Sequence, residues 1–181
     1  MLSGAGATNL VCFVGSWFFT SAALIQLRLS GPSKTQSWKT PSHRLEFLSA
    51  AIQFVGTVRF NVSTGAALWA HRLPIRRRYV WWPDAQGSVA FLISGVLAVV
   101  AVTLAVGLVQ PKSREWLGAW INMIGCLAFG ASAVGAFITA RGVTEDAPLA
   151  NVGTFLGALC FLIAALLVLP KRRSPERHPA V

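Results

Sequence analysis

Five long apolar runs divide the chain, and any fold it adopts must give each of them an apolar surrounding. A helix needs about 20 mostly apolar residues to cross a hydrocarbon core of about 30 Å. The runs at 7–29, 85–109, 116–139 and 149–169 reach that length, and the last is closed by Pro170 and then Lys171, Arg172 and Arg173. The run at 45–70 has the length but carries Gln53, Arg59, Asn61, Ser63 and Thr64. Composition agrees with this pattern: 54% of residues are hydrophobic and 12% charged, against about 25% charged in soluble domains. The predicted fold class is all-α: a single domain over 1–181, an integral membrane bundle of five transmembrane helices, with a basic cytoplasmic tail at 170–181.

The runs share an internal pattern. Each holds a glycine, a phenylalanine four residues later, and Ala or Ser at the seventh: Gly15/Phe19/Ala22, Gly56/Phe60/Ser63, Gly87/Phe91/Ser94, Gly125/Phe129/Ser132 and Gly157/Phe161/Ala164. With 16 Gly and 11 Phe, chance supplies about one such Gly/Phe pairing, so one per run points to internal repetition. On a helix these offsets share an arc of about 60°. Small residues on such a stripe let backbones approach, which matters in lipid because packing must drive association there. Successive glycines are 41, 31, 38 and 32 residues apart. That alternation predicts tandem helical hairpins, the second run with the third and the fourth with the fifth. The first run then reads as the second half of a hairpin.

The polar residues of the 45–70 run are the sharpest candidates for function. A charge at the bilayer centre costs about 2.5–3.5 kcal/mol on insertion scales, so an intramembrane arginine usually faces a bundle interior, a cavity or a partner. Taking Gly56 as zero, about 100° per residue puts Gln53 near +60°, Arg59 near −60° and Asn61 near +140°. Polar groups on three sides predict a helix enclosed by its neighbours. Asn122 precedes Gly125 by the offset that separates Gln53 from Gly56, so Gln53 and Asn122 are an expected interhelical pair. Arg59, Gln53, Asn61 and Asn122 form the candidate intramembrane polar site. They serve either as a path for an anion or proton, or as structural groups, with Arg59 snorkelling or bound to carbonyls. Asp84, in WWPD, reads as a helix N-cap.

The segments GSWFFTSAALIQ, IQFVGTVRFNVST, VWWPDAQGS and LANVGTFLGALCFLIAALLVLP resemble a group of uncharacterised bacterial multi-pass membrane proteins with a YrhK-like domain. The resemblance covers most of residues 14–170. It implies a helical protein of the bacterial cell membrane and brings no catalytic residues. That group's pattern has an apolar residue where Arg59 stands and a further span ahead of the first one here, and this chain departs from it at both places.

Other chemistry is sparse. Cys12, Cys126 and Cys160 lie far apart inside apolar runs, without metal or redox spacing. His43, His71 and His178 fall outside the runs, so paired intramembrane histidines for haem are not expected. No Walker loop, GxSxG or Cys/His cluster occurs. No cofactor, metal site or enzymatic activity is expected. The net charge of +10 would suit nucleic acid only on a folded polar surface. Here the basic residues flank apolar runs, so the expected partner is the lipid bilayer, with a membrane protein partner or homo-oligomer, and not nucleic acid. The N-terminal MLSGAGATNL lacks the positive start of a secretory signal, so the first run is expected to be retained. With the N-terminus outside, ten Lys and Arg fall on the inner face and five, Arg72, Arg76, Arg77, Arg78 and Arg141, on the outer. The excess places the C-terminus in the cytoplasm, against the local evidence of the 76–78 cluster. Trp81, Trp82, Trp116 and Trp120 stand where indoles anchor at headgroups. Two readings stay open: a structural or accessory membrane component working through helix contacts, and a small transporter or channel whose polar path passes Arg59.

Overall fold

A computed structural model describes residues 4–31 and 40–169; the expected tail at 170–181 lies outside the described residues. Five long helices carry the described chain: α1 (Gly4–Leu29), α2 (Pro41–Ala66), α3 (Leu73–Val106), α4 (Arg114–Gly135) and α5 (Ala147–Val168). Among the described residues there is no strand, and one isolated bridge pairs Ile138 with Thr144 between α4 and α5.

Local chemistry fixes several helix ends. Ser113 Oγ accepts from the Trp116 N–H at 3.2 Å to open α4, and Asp146 Oδ1 accepts from the Leu149 N–H at 2.9 Å to open α5. Each satisfies an N–H that has no partner within its helix. Pro41 and Pro148 occupy first turns, where a missing N–H costs nothing. Gly107, at φ 107°, closes α3 in a conformation that L side chains rarely adopt.

α3 departs from the expectation of a span starting at residue 85. It begins at Leu73 and takes in the arginine cluster, with a π-helical segment over Arg76–Trp81. The cause lies at Pro83, which has no N–H and whose ring crowds the carbonyl four residues back. A widened turn just ahead of it relieves the crowding, and the Trp82 N–H reaches five residues back to the Arg77 carbonyl. Asp84 is therefore inside a continuous helix, and the N-cap expected of it is not formed.

Four helices, α1, α3, α4 and α5, are long and apolar enough to cross a membrane. α2 has comparable length, and its polar residues keep it from that class. The helices pack in chain order as antiparallel neighbours. Asn9 Nδ2 donates to the Ala67 carbonyl at 3.1 Å and the Ser16 and Thr64 hydroxyls meet at 3.1 Å, which sets α1 against α2. Ser49 Oγ donates to the Ser94 carbonyl at 2.8 Å across α2 and α3. Ser88 Oγ donates to the Phe129 carbonyl at 3.2 Å across α3 and α4. The closest partnerships are α2 with α3 and α4 with α5, the two expected hairpins.

All five repeat phenylalanines converge on one layer. Phe91, Phe129 and Phe161 form its buried centre with Cys126, and Phe19 and Phe60 pack against them. Phe19 approaches Phe161 at 5.3 Å and Phe91 at 5.6 Å between centroids, Phe60 lies 5.7 Å from Phe129, and Phe129 lies 5.3 Å from Phe161. Around this layer the buried residues are otherwise small and often polar: Ser16, Ser49, Gln53, Thr57, Ser88, Ser94 and Ser132. Val11, Phe18, Val134 and Phe155 point outward. Small and hydroxylic residues inside, with large apolar ones outside, is the arrangement that lipid selects.

Candidate functional site

The four candidate polar residues do not come together. Gln53 is buried, and its Oε1 accepts from Ser94 Oγ at 3.0 Å, beside a Ser49–Ser94 hydroxyl contact of 3.2 Å. The expected pairing with Asn122 is absent. Asn122 Nδ2 instead makes a contact of 3.8 Å to Cys126 Sγ on its own helix. The reason is antiparallel geometry. In a hairpin centred on two facing glycines, a residue three positions before one glycine lies level with residues after the other. Gln53, three before Gly56, meets Ser94, seven after Gly87; Thr154, three before Gly157, meets Ser132, seven after Gly125, at 2.7 Å. By the same rule Asn122 faces Ala164, which offers it no polar atom. Gln53 and Asn122 sit on helices of different hairpins.

The remaining two diverge as well. Asn61 is half-buried, and among the described residues its Oδ1 has no hydrogen-bond partner. Arg59 is exposed, so the expected enclosure of this arginine is not formed. α2 packs chiefly against α1 and α3, leaving one flank uncovered, and the −60° direction of Arg59 falls on it. Gln53 points inward, Arg59 outward, and Asn61 to a third side. They line no common path.

The repeat glycines mark the tightest contacts. A Cβ at Gly56 would stand 2.7 Å from the Phe91 ring, one at Gly125 2.7 Å from the Phe161 ring, and one at Gly157 2.6 Å from the Phe129 ring. At Gly87 it would stand 3.0 Å from the Gly56 carbonyl oxygen. Each hairpin thus closes glycine to glycine, with phenyl rings seated where a side chain would be. Gly15 is different, because a Cβ there would meet nothing within 4 Å.

A polar clamp that the sequence pattern did not reveal holds one end of the bundle. Arg76 Nη1 donates to the Gly142 carbonyl at 2.9 Å, Arg77 Nε to the Ile138 carbonyl at 2.8 Å, and Trp81 Nε1 to the Ala133 carbonyl at 3.0 Å. The Arg77 guanidinium also lies 5.7 Å from the Phe137 ring centre. The π segment aims these side chains at the α4–α5 loop. In sequence the cluster reads as a topology signal; the proline six residues past Arg77, which forces the wide turn, was the available clue.

No family model matches the chain, and no curated protein or solved structure matches it either. The functional reading therefore stands on the geometry and on the sequence.

Proposed function

We propose that the chain is a five-span integral membrane protein with a structural or accessory role, acting through helix contacts and without enzymatic activity. The observation that carries this reading is the convergence of five phenylalanines from five helices on one dry layer, while the intramembrane polar residues scatter. A carrier or channel needs polar groups aligned along a path. Gln53 is taken up by Ser94, Asn122 stays on its own helix, and Arg59 faces away from the bundle.

Direction supports the fifth span. α1 and α3 are both antiparallel to α2 and so run the same way. If both cross a bilayer in one sense, the chain must return between them, and α2 is the segment that does so. Its buried Gln53 and Thr57 are shielded from lipid, so its low apolarity is compatible with crossing. The outer-face arginine cluster has a structural use in the loop clamp, which supports placing the C-terminus in the cytoplasm despite that cluster. The YrhK-like resemblance supports a bacterial cell membrane as the location.

Impermeant thiol labelling tests the topology. In a cysteine-free background, Thr40→Cys and His71→Cys flank α2, and they are expected to react from opposite sides of the membrane. Reaction of both from one side would eliminate the five-span arrangement.

A further inference from the structure

We propose that the outer flank of the α2–α3 hairpin, centred on Arg59, is a docking surface for a transmembrane helix of another protein that carries an aspartate or glutamate at mid-membrane depth. The inference rests on the membrane reading above.

Arg59 lies close to the level of Gly56 and Phe60, at the aromatic layer in the middle of the bundle. Its Cβ packs near Gly87, 3.5 Å from where a Cβ on that glycine would be. The guanidinium projects outward, and among the described residues it has no hydrogen bond or ion pair. The surrounding flank of α2 is apolar, with Val55, Val58 and Val62 exposed. The corresponding positions on α3, α4 and α5, three residues past each repeat glycine, are Ala90, Ala128 and Cys160. A small residue suffices at this place in the repeat, so packing within the chain does not call for an arginine.

Escape to headgroups is unfavourable. The nearer end of α2 is its C-terminus at Ala66, about 10 Å away along the axis. A helical side chain leaves the backbone toward the N-terminus, so Arg59 starts out pointing deeper, away from that end. Gln86 is exposed on α3, one residue before Gly87, and helical angles place it on the same flank at a similar level. An anionic group arriving there meets a cation and an amide in an otherwise apolar wall.

A second copy of this chain cannot supply the anion at that depth. Glu46 and Glu115 are in the first turns of α2 and α4, Glu145 and Asp146 are in the α4–α5 loop, and Glu176 follows Pro170 among basic residues. Asp84 is at the level of Arg59, but it lies on the α4 side of α3, between Trp81 and Ser88, which bond to α4 carbonyls. The carboxylate must come from a different polypeptide.

The test uses the full chain reconstituted in neutral phosphatidylcholine vesicles with synthetic leucine-rich transmembrane peptides as probes, read by energy transfer. A peptide with one central glutamate is expected to associate about tenfold more tightly than its leucine counterpart. Arg59→Leu is expected to abolish that preference, and Arg59→Lys to keep most of it. Equal association of both peptides with the wild type would overturn the proposal. So would a preference that survives Arg59→Leu, or one that vanishes when anionic lipid is added, since lipid phosphate would then be the true partner. Disulfide capture between two copies of Val62→Cys, at the yield of a stable dimer, would assign the flank to self-association and also overturn it. The thiol-labelling result stands apart from these outcomes. A protein that passes it and ignores the glutamate peptide refutes the docking surface alone.

Discussion

At the residue scale, one glycine type serves two situations in this chain. Alanine is favoured over glycine in a helix interior by about 1 kcal/mol, whereas forcing an extra methyl into a filled contact costs about 1–3 kcal/mol. At Gly56 and Gly157 the neighbours are a phenyl ring within 2.7 Å and a backbone carbonyl at 3.1 Å. Neither hairpin can open without disturbing the aromatic layer, so the clash wins. Gly56→Ala and Gly157→Ala are expected to destabilise by about 1–2 kcal/mol. Gly15→Ala meets nothing and is expected to be neutral or to stabilise by up to about 1 kcal/mol. Denaturation in mixed micelles would compare the three, and equal costs at all of them would refute the assignment of Gly15 as an open notch. Serine 94 is a different case, since its hydroxyl is buried against Gln53 Oε1. Intramembrane hydrogen bonds average about 0.6 kcal/mol with a maximum near 1.7, and Ser94→Ala is expected to cost within that range by the same measurement.

At the element scale, the glycine and phenylalanine spacing was legible because helical period and small-residue packing leave a mark in sequence. It gave the hairpins and the residues that meet in the core. What stayed hidden depends on which helices face one another. Gln53 and Asn122 share an offset, but antiparallel pairing matches unlike offsets, and the partner of Gln53 is Ser94. Arg59 was read as enclosed because three polar directions suggest three polar neighbours, and the bundle left one of those directions bare. The start of α3 was hidden by its arginines, which look like loop until Pro83 is recognised as the origin of a π turn. That turn has a consequence for the α4–α5 loop, whose backbone is held by Arg76 and Arg77 as well as by its own bonds, such as Thr139 N–H to the Val143 carbonyl at 2.9 Å. Arg77→Ala removes a charge-assisted bond and a ring contact together. Hydrogen exchange at the amides of Thr139, Gly142 and Glu145 is expected to quicken about tenfold, with α5 unaffected. No change at these amides would mean that the loop holds itself.

At the scale of the whole molecule, the distribution of polarity fixes the environment it requires. Large apolar residues cover the outside: Leu127 and Val134 on α4, Phe155 and Leu162 on α5, Ile93 and Val100 on α3. The inside is a phenyl layer ringed by hydroxyls bonded to carbonyls of neighbouring helices. Water would have to wet the exterior and would still compete for those hydroxyls, whereas lipid satisfies the first and leaves the second as the only bonds available. The length of the rods then sets a thickness. α4 and α5 have 22 residues each, about 33 Å of helix, and Trp116 and Trp120 sit in the opening turns of α4, where indoles prefer the interface. A hydrocarbon core near 30 Å matches these helices. A core thinner by several ångströms costs fractions of a kcal/mol per Å by tilting helices or thickening lipid, and tilting is resisted here because every helix is tied to the same aromatic layer. Thermal stability in vesicles of graded acyl length is therefore expected to peak near 30 Å and to fall on both sides. The Gly157→Ala variant, with one hairpin loosened, is expected to show a flatter profile, because a less tightly coupled α5 can tilt independently. A wild-type profile that ignores thickness would mean that the five rods are not held in register by the layer their phenylalanines share.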